Sequence, residues 1–330
     1  MAARIAALVV AVAMVITAIA VRARWDDDNG GSGGDGDGRS GPLRLVCAPE
    51  VERACEAIAE EAGEDVEVVV EQAGATADRL ASGADTGAAG LDGWLVPGPW
   101  PEIVDTLRSG RPALFAPAGA PIAHGRAGLV IWNDRHARLA QHCGGAVTWA
   151  CVGDVAGREW TDAGGDANWG RVRFALRDPA STAAGLAVLG AGTAGVFGRT
   201  DVVLLDLDDE RFGTWLANLA RARVAIDLER MLTQGPAAAA GLATLDAVAS
   251  PVLASAARRD QVRLIYPAPV ATVGVVLARV PGGRGDRLRE LVDAHGSGAL
   301  RASGWGAPAG AGLPSPGLLH ALRERWASVR

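Results

Sequence analysis

The segment "VLGAGTAGVFG" has glycines at 190, 192 and 195, the G-x-G-x-x-G spacing with which dinucleotide-binding folds hold a pyrophosphate. Such a site needs a strand directly before the first glycine and a helix directly after the third. The preceding "DPASTAAGLAVL" instead predicts a helix that ends at Gly190, and only "VFGRT" separates Gly195 from the strand-like "DVVLLDL". Because a parallel crossover needs about a dozen residues, the sequence argues against a dinucleotide site.

No other catalytic motif is complete. All 32 basic residues are arginines, which excludes a Walker lysine, a Schiff base and pyridoxal phosphate chemistry. Ser297 lacks the G-x-S-x-G frame of a nucleophile elbow, and the five histidines lack the i,i+4 spacing of a zinc-binding helix. A net charge of −6 argues against nucleic acid. We therefore expect a protein that is not an enzyme, with no catalytic residue, cofactor or metal site.

The four cysteines form two pairs with the same spacing of eight, Cys47 with Cys55 and Cys143 with Cys151. An even count with local pairing favours two short-loop disulfides over a metal site. Disulfides persist in oxidising compartments, so this interpretation places the folded part outside the cytoplasmic membrane. The alternative is four buried free thiols in a cytosolic protein.

The N-terminus carries an uncharged apolar run from Ile5 to Val21, seventeen residues, at the short limit for a bilayer core of about 30 Å. We interpret residues 1–24 as a signal peptide or a membrane anchor, since Ala18 and Ala20 resemble a cleavage site and both alternatives are open. Residues 25–42, rich in Asp and Gly, predict a flexible acidic tether.

From Leu43 onward the chain alternates strand and helix patterns. "LRLVC", "VEVVVEQ" and "GWLVPGPW" predict strands, with helices in "APEVERACEAIAEEAG" and "TADRLASG" between them. This order implies a parallel sheet covered by helices. Further along, strands are predicted in "WGRVRFALRDP" and "DVVLLDL". A strand followed by a helix is predicted in "LATLDAVASPVLASAARRD". The segment "VRLIYPAPVATVGVVLARV" is strand-like and is broken by prolines. "DRLRELVDAH" and "GLLHALRERWASVR" predict surface helices.

The order of several segments resembles the type 2 periplasmic-binding-protein family. These are "LRLVCAPEVERACEAIA", "DGWLVPGPWPEIV", "AGLVIWNDR", "NWGRVRFALRDPASTAAGLAVLG" and "VRLIYPAPVATVGVVLARV", and the similarity covers residues 43–308. It is nearest to the molybdate-type and general solute-binding branch. The resemblance implies an α/β fold of two lobes with a cleft between them and two crossover strands. Lobe 1 would comprise 43–129 and 266–330, and lobe 2 would comprise 130–265.

The resemblance also implies a set of ligand-binding residues, because helix N-termini in such folds face the cleft. The implied residues are Ala48, Glu50, Thr76, Ser181, Thr182, Ser250 and Tyr266. Simpler interpretations stay open: the three hydroxyl residues at helix starts as caps, Ser250 as a turn residue and Tyr266 as hinge packing. The Glu50 carboxylate would repel an oxyanion at its own helix start, which argues against a molybdate-like ligand.

The expected function is that of an extracytoplasmic solute-binding protein. The resemblance implies a monomer that captures a small polar molecule or oxyanion in the cleft and delivers it to an ABC-type permease or a membrane sensor. Membrane contact would be through the N-terminal segment, or the protein would be secreted. The alternative is a ligand-free interaction or signalling module that uses the same fold at the cell surface.

We predict that both cysteine pairs are oxidised in the native protein, because disulfides persist in an oxidising compartment. Each short ring should stabilise the fold by roughly 2 to 3 kcal/mol. Alkylation of the natively isolated, unreduced protein followed by mass mapping should find no free thiol. Recovery of four alkylated cysteines would contradict both the pairing and the compartment.

Overall fold

A sheet of nine strands organises the part of the chain that the structure, a computed structural model, describes: residues 41–63, 65–83, 90–308 and 310–329. The strands are β1 (Leu43–Cys47), β2 (Val66–Val70), β3 (Gly93–Pro97), β4 (Ala123–Trp132), β5 (Phe174–Leu176), β6 (Arg223–Val224), β7 (Gly241–Leu245), β8 (Val262–Ile265) and β9 (Thr272–Arg279). The signal or anchor segment at 1–24 and nearly all of the tether at 25–42 lie outside the described residues.

The sheet repeats one pairing pattern twice. In the first copy, β1 pairs in parallel with β2 and β3, and β9 lies antiparallel between β3 and β4. In the second copy, β5 pairs in parallel with β6 and β7, and β4 lies antiparallel between β7 and β8. We call β1, β2, β3 and β9 with their helices lobe 1, and β5 to β8 with their helices lobe 2.

Strand β4 belongs to both lobes. Residues 123–126 pair with β9 and residues 127–131 pair with β7, so the partner changes between Arg126 and Ala127. The chain passes back from β8 to β9 through residues 266–271. The residue boundaries of the lobes given above stay predictions.

Helices cover both copies of the pattern. Lobe 1 has α1 (Glu52–Glu61), α2 (Ala73–Ser82) and α3 (Trp100–Leu107), and later α10 (Gly283–Leu291) and α11 (Ser297–Ala302). Lobe 2 has α4 (Asn133–His142), α5 (Trp149–Val155), α6 (Ala183–Phe197), α7 (Glu210–Ala222), α8 (Leu228–Gln234) and α9 (Asp246–Ser255). The last helix, α12 (Pro316–Val329), contacts α3 of lobe 1 and both α6 and α7 of lobe 2.

The structure corrects the prediction that the helix ends at Gly190. Helix α6 continues through all three motif glycines to Phe197 and ends at Gly198, whose φ of 65° is left-handed. All but two residues of α6 are buried, as expected for a helix that is apolar on every side. A Cβ on Gly192 would lie 2.3 Å from Cη2 of Trp215 on α7, so this glycine permits close helix packing.

Two other predictions are wrong in detail. "DVVLLDL" contains a 3-10 turn over Leu204–Asp208 instead of a strand. The carboxylate of Asp206 accepts the Val203 N–H at 2.8 Å and pairs with Arg199, which holds the segment in a turn and leaves Leu205 81% exposed. The final helix was expected on the surface, but Trp326 and three leucines of α12 are buried.

Both predicted disulfides are confirmed. Cys47–Cys55 ties the end of β1 to α1, and Cys143–Cys151 ties the residue after α4 to α5. None of the described helices is long and apolar enough to cross a membrane.

We predict that Gly192→Ala lowers the free energy of unfolding by about 1 to 3 kcal/mol, because the new methyl group overlaps the Trp215 ring. Gly213→Ala is the matched control: it lies in α7 with no neighbour within 4 Å of the added Cβ. It should stabilise the protein by up to about 1 kcal/mol. Urea denaturation of both variants measures the difference, and equal stabilities would show that α6 and α7 do not pack this closely.

Candidate ligand-binding site

A cavity of about 360 Å³ lies where the carboxyl ends of strands from both lobes meet. Lobe 1 contributes Pro49, Glu50 and Glu52, which follow β1. Lobe 2 contributes Arg177, directly after β5, and Thr244 near the end of β7. Crevices at the carboxyl ends of strands are the usual ligand sites of open α/β sheets. We take this cavity as the candidate site because its walls come from both lobes.

A larger cavity of about 440 Å³ is a weaker candidate. Its lining residues come from α8, α9 and the turn that follows α9, all within lobe 2. If one lobe moved against the other, the walls of this larger cavity would stay unchanged. Binding there would therefore not be coupled to closure of the lobes.

The walls of the candidate cavity combine an apolar floor with charged groups. Leu242, Val248, Ala249 and Val252, from β7 and α9, are apolar. Asp227 and Glu229 stand at the start of α8, where Asp227 caps the helix by accepting the Arg230 N–H at 2.7 Å. Neither acid was predicted from the sequence, although an aspartate before "LERML" is a recognisable cap signal.

Glu50 is the predicted residue that lines this cavity. Its Oε1 accepts the Ala184 N–H at 3.2 Å, so a carboxylate from lobe 1 occupies the N-terminal end of α6 in lobe 2. Its Oε2 is buried and meets no donor of the described residues at hydrogen-bond geometry, although the backbone N–H groups of Glu50 and Ala183 also face the carboxyl group. Burial raises the pKa of Glu50, against the opposing effects of the Ala184, Glu50 and Ala183 N–H groups and of the Arg177 charge.

Of the two other predicted residues at the start of α6, Thr182 caps the helix and Ser181 bonds to the other lobe. Thr182 Oγ1 accepts the Gly185 N–H at 3.1 Å and donates to the carbonyl oxygen of Asp178 at 2.9 Å. The carbonyl oxygen of Ser181 accepts the Gly74 N–H at 2.9 Å across the lobes. Neither Ser181 nor Thr182 lines the cavity.

The start of α2 meets the start of α6 directly. A Cβ on Gly74 would lie 2.3 Å from the carbonyl oxygen of Ala180, so the lobes approach here as closely as a glycine allows. Thr76, which was predicted to bind ligand, is fully buried behind this contact, and its hydroxyl donates to Glu71 Oε2 at 2.7 Å.

Helix α12 connects the two lobes next to the contact between α2 and α6. The Arg323 guanidinium donates to the carbonyl oxygen of Ala180 at 3.0 Å in lobe 2 and to the Asp78 carboxylate at 3.1 Å in lobe 1. It also stacks 4.8 Å from the centre of the Trp100 ring. One buried arginine therefore connects the two lobes where their helix starts meet.

Tyr266 lies at the crossover between the lobes, outside the cavity lining. Its hydroxyl accepts from Arg126 Nη2 at 2.7 Å and donates to Asp246 Oδ2 at 3.2 Å. The Asp246 carboxylate also accepts the Arg126 backbone N–H at 2.7 Å. Because Arg126 is the last β4 residue paired with β9, this network braces the strand at its change of partner.

The two remaining predicted residues are also outside the cavity lining. Ala48 is fully buried beside β3, and its N–H donates to the carbonyl oxygen of Leu95 at 3.1 Å. Ser250 is solvent-exposed on α9, whereas its neighbours Val248 and Ala249 line the cavity.

The structure is similar to solved two-lobe binding proteins. No family model and no curated protein matches the sequence. A periplasmic thiamin binding protein is 15% identical with a TM-score of 0.59, covering 91% of this chain and 98% of that one. A Trichodesmium protein in complex with iron and citrate ligands is 10% identical with a TM-score of 0.53, covering 88% and 99%. The sulfate-binding protein SubI from Mycobacterium tuberculosis H37Rv is 14% identical with a TM-score of 0.51, covering 81% and 86%.

These similarities confirm the predicted two-lobe α/β fold. At identities of 10 to 15% they establish the fold and leave the ligand open. The three descriptions name thiamin, iron with citrate, and sulfate, so this fold accommodates ligands of opposite charge. None of them supports the molybdate-type branch.

We predict that Glu50→Gln becomes more stable relative to the wild type as the pH rises. Because burial raises the pKa of Glu50, the folded state retains this proton at pH values where the unfolded chain has released it. The free energy of unfolding of the wild type should therefore fall between the unfolded-state and folded-state pKa values, and the glutamine variant lacks this contribution.

Urea denaturation between about pH 4 and pH 8 tests this prediction, since an unperturbed glutamate titrates near 4.3. Glu56→Gln, a solvent-exposed change on α1, is the control and should follow the wild-type profile. Parallel profiles for the wild type and Glu50→Gln would mean that the carboxylate is not buried.

Proposed function

We propose that this chain is an extracytoplasmic solute-binding protein that captures a small polar solute in the cavity between its lobes. The observation that carries the proposal is the cavity of about 360 Å³ with walls from both lobes at the carboxyl ends of their strands. Its size falls within the range of about 300 to 1,000 Å³ that small-molecule sites occupy.

Binding would be coupled to the relative position of the lobes. Two direct hydrogen bonds join the lobes at the helix starts: the Ala184 N–H donates to Glu50, and the Gly74 N–H donates to Ser181. An opening motion would break both, while β4 and the bracing network at Arg126 would act as the hinge. A solute that contacts both lobes would bind the closed form more tightly and shift the population towards it.

The compartment and the partner follow from the same proposal. Two disulfides support a location outside the cytoplasm. There the loaded protein would deliver its solute, as a monomer, to an ABC-type permease or a membrane sensor. The protein would either be attached to the membrane by its N-terminal segment or be secreted after that segment is cleaved.

We predict that at least one solute in a panel of amino acids, sugars, amines and oxyanions raises the Tm of the full chain. A solute that binds only the folded state stabilises it by about 2.7 kcal/mol at a hundred times its Kd. Thermal unfolding of the purified protein with each solute measures this stabilisation.

Val252→Trp should remove the response, because the indole would fill the cavity that Val252 lines. Val203→Trp is the matched control, since Val203 is 54% exposed and lies outside the cavity lining, and it should keep the response. Absence of stabilisation by every solute would overturn the binding function. A response that survives Val252→Trp would place the site elsewhere.

A further inference from the structure

The charged groups of the cavity are predominantly acidic. Glu50, Glu52, Asp227 and Glu229 face a single guanidinium, that of Arg177, which leaves a formal excess of three negative charges when all are ionised. Glu52, Asp227, Glu229 and Arg177 are solvent-exposed, so this excess acts as a screened negative field at the mouth of the cavity. The cavity therefore repels anions and attracts cations.

Three helix-start donors near the cavity are already bonded within the protein. The first-turn N–H groups of Ala184 and Gly185 in α6 are accepted by Glu50 Oε1 and Thr182 Oγ1. The corresponding N–H of Gly74 in α2 is accepted by the carbonyl oxygen of Ser181. An oxyanion would have to displace these acceptors, and one of them is itself a carboxylate from the cavity wall.

The buried Oε2 of Glu50 gives the acidic lining a specific point of recognition. A carboxylate oxygen that is removed from water without a donor destabilises the folded state unless a partner arrives. A positively charged N–H group is the partner that matches it in both charge and hydrogen bonding. Because Oε1 is already held by Ala184, the side chain is fixed in position for this contact.

The rest of the wall suits an organic body. Leu242, Val248 and Val252 offer hydrocarbon surface on the lobe 2 side of the same cavity. Among the described residues no three His, Cys, Asp or Glu side chains are arranged to hold a metal ion. Apolar contact together with one buried carboxylate is typical of a site for a protonated amine.

We infer that the solute is a small organic amine, bound with its ammonium N–H donating to Glu50 Oε2 and its hydrocarbon part against Leu242 and Val252. This inference rests on the proposed binding function and narrows its ligand class. Glu52, Asp227 and Glu229 add long-range attraction at the mouth of the cavity. Arg177 stands on the lobe 2 side, where it would exclude a second cation.

Two series of probes with matched shape test the charge requirement. Butylamine, 1-butanol and butyrate share a four-carbon chain, and phenethylamine, 2-phenylethanol and phenylacetate share an aromatic body. We expect an amine to raise the Tm of the full chain, while the neutral and anionic members of its series do not. Titration calorimetry of the responding amine then gives its Kd.

Glu50→Gln should weaken binding of that amine by about tenfold to a hundredfold, because it removes a charge-assisted hydrogen bond while keeping an acceptor for Ala184. Glu56→Gln, a solvent-exposed change on α1 that lies outside the cavity lining, should bind as the wild type does. A Kd unchanged by Glu50→Gln would overturn the assigned contact.

The outcomes separate this inference from the function on which it rests. If a neutral or anionic solute, in these series or in the broader panel, stabilises the protein and no amine does, solute binding stands and the amine class is overturned. If no solute of any charge stabilises the protein, both fail.

Discussion

The double pairing of β4 is the constraint on which the other features depend. Its first residues bond to β9 and the next ones to β7, so one strand belongs to both lobes. This pairing brings the carboxyl ends of β1, β5 and β7 to one space, where loops can present side chains to a solute. Arg126, Asp246 and Tyr266 brace the strand at the point where it passes from one lobe to the other.

Three helix-start N–H groups near the cavity are bonded across or within the lobes and are not available to an anion. A helix start with free N–H groups attracts anions. Here Glu50 and Thr182 occupy the start of α6, and Ser181 occupies the start of α2. The same contacts hold the two lobes together and leave carboxylates as the exposed charge. Interactions that in an anion-binding site would hold the solute thus hold one lobe against the other.

Local patterns predicted elements well where short-range forces decide the conformation. The first strand, the helix after Pro49 and both disulfides follow from apolar runs, helix-start signals and cysteine spacing over fewer than ten residues. The prediction failed where a distant partner or a particular side chain decided the outcome. Helix α6 runs past Gly190 to Phe197, and Trp215 of α7 packs against Gly192 within it. Residues 204–208 turn because the Asp206 carboxylate captures a backbone N–H.

The order of these elements was also enough to predict the two-lobe fold, since each lobe repeats one strand and helix pattern. The cavity was not predictable in the same way. Glu50 was identified from its place at a helix start, but Arg177, Asp227 and Thr244 come from separate elements that meet it only after folding. Thr76 and Ser181 also stand at helix starts, yet Thr76 is buried with its hydroxyl bonded to Glu71 and Ser181 bonds to Gly74 of the other lobe. Local sequence specifies where a helix begins, whereas the packing of one lobe on the other decides whether that start faces a solute or a neighbouring helix.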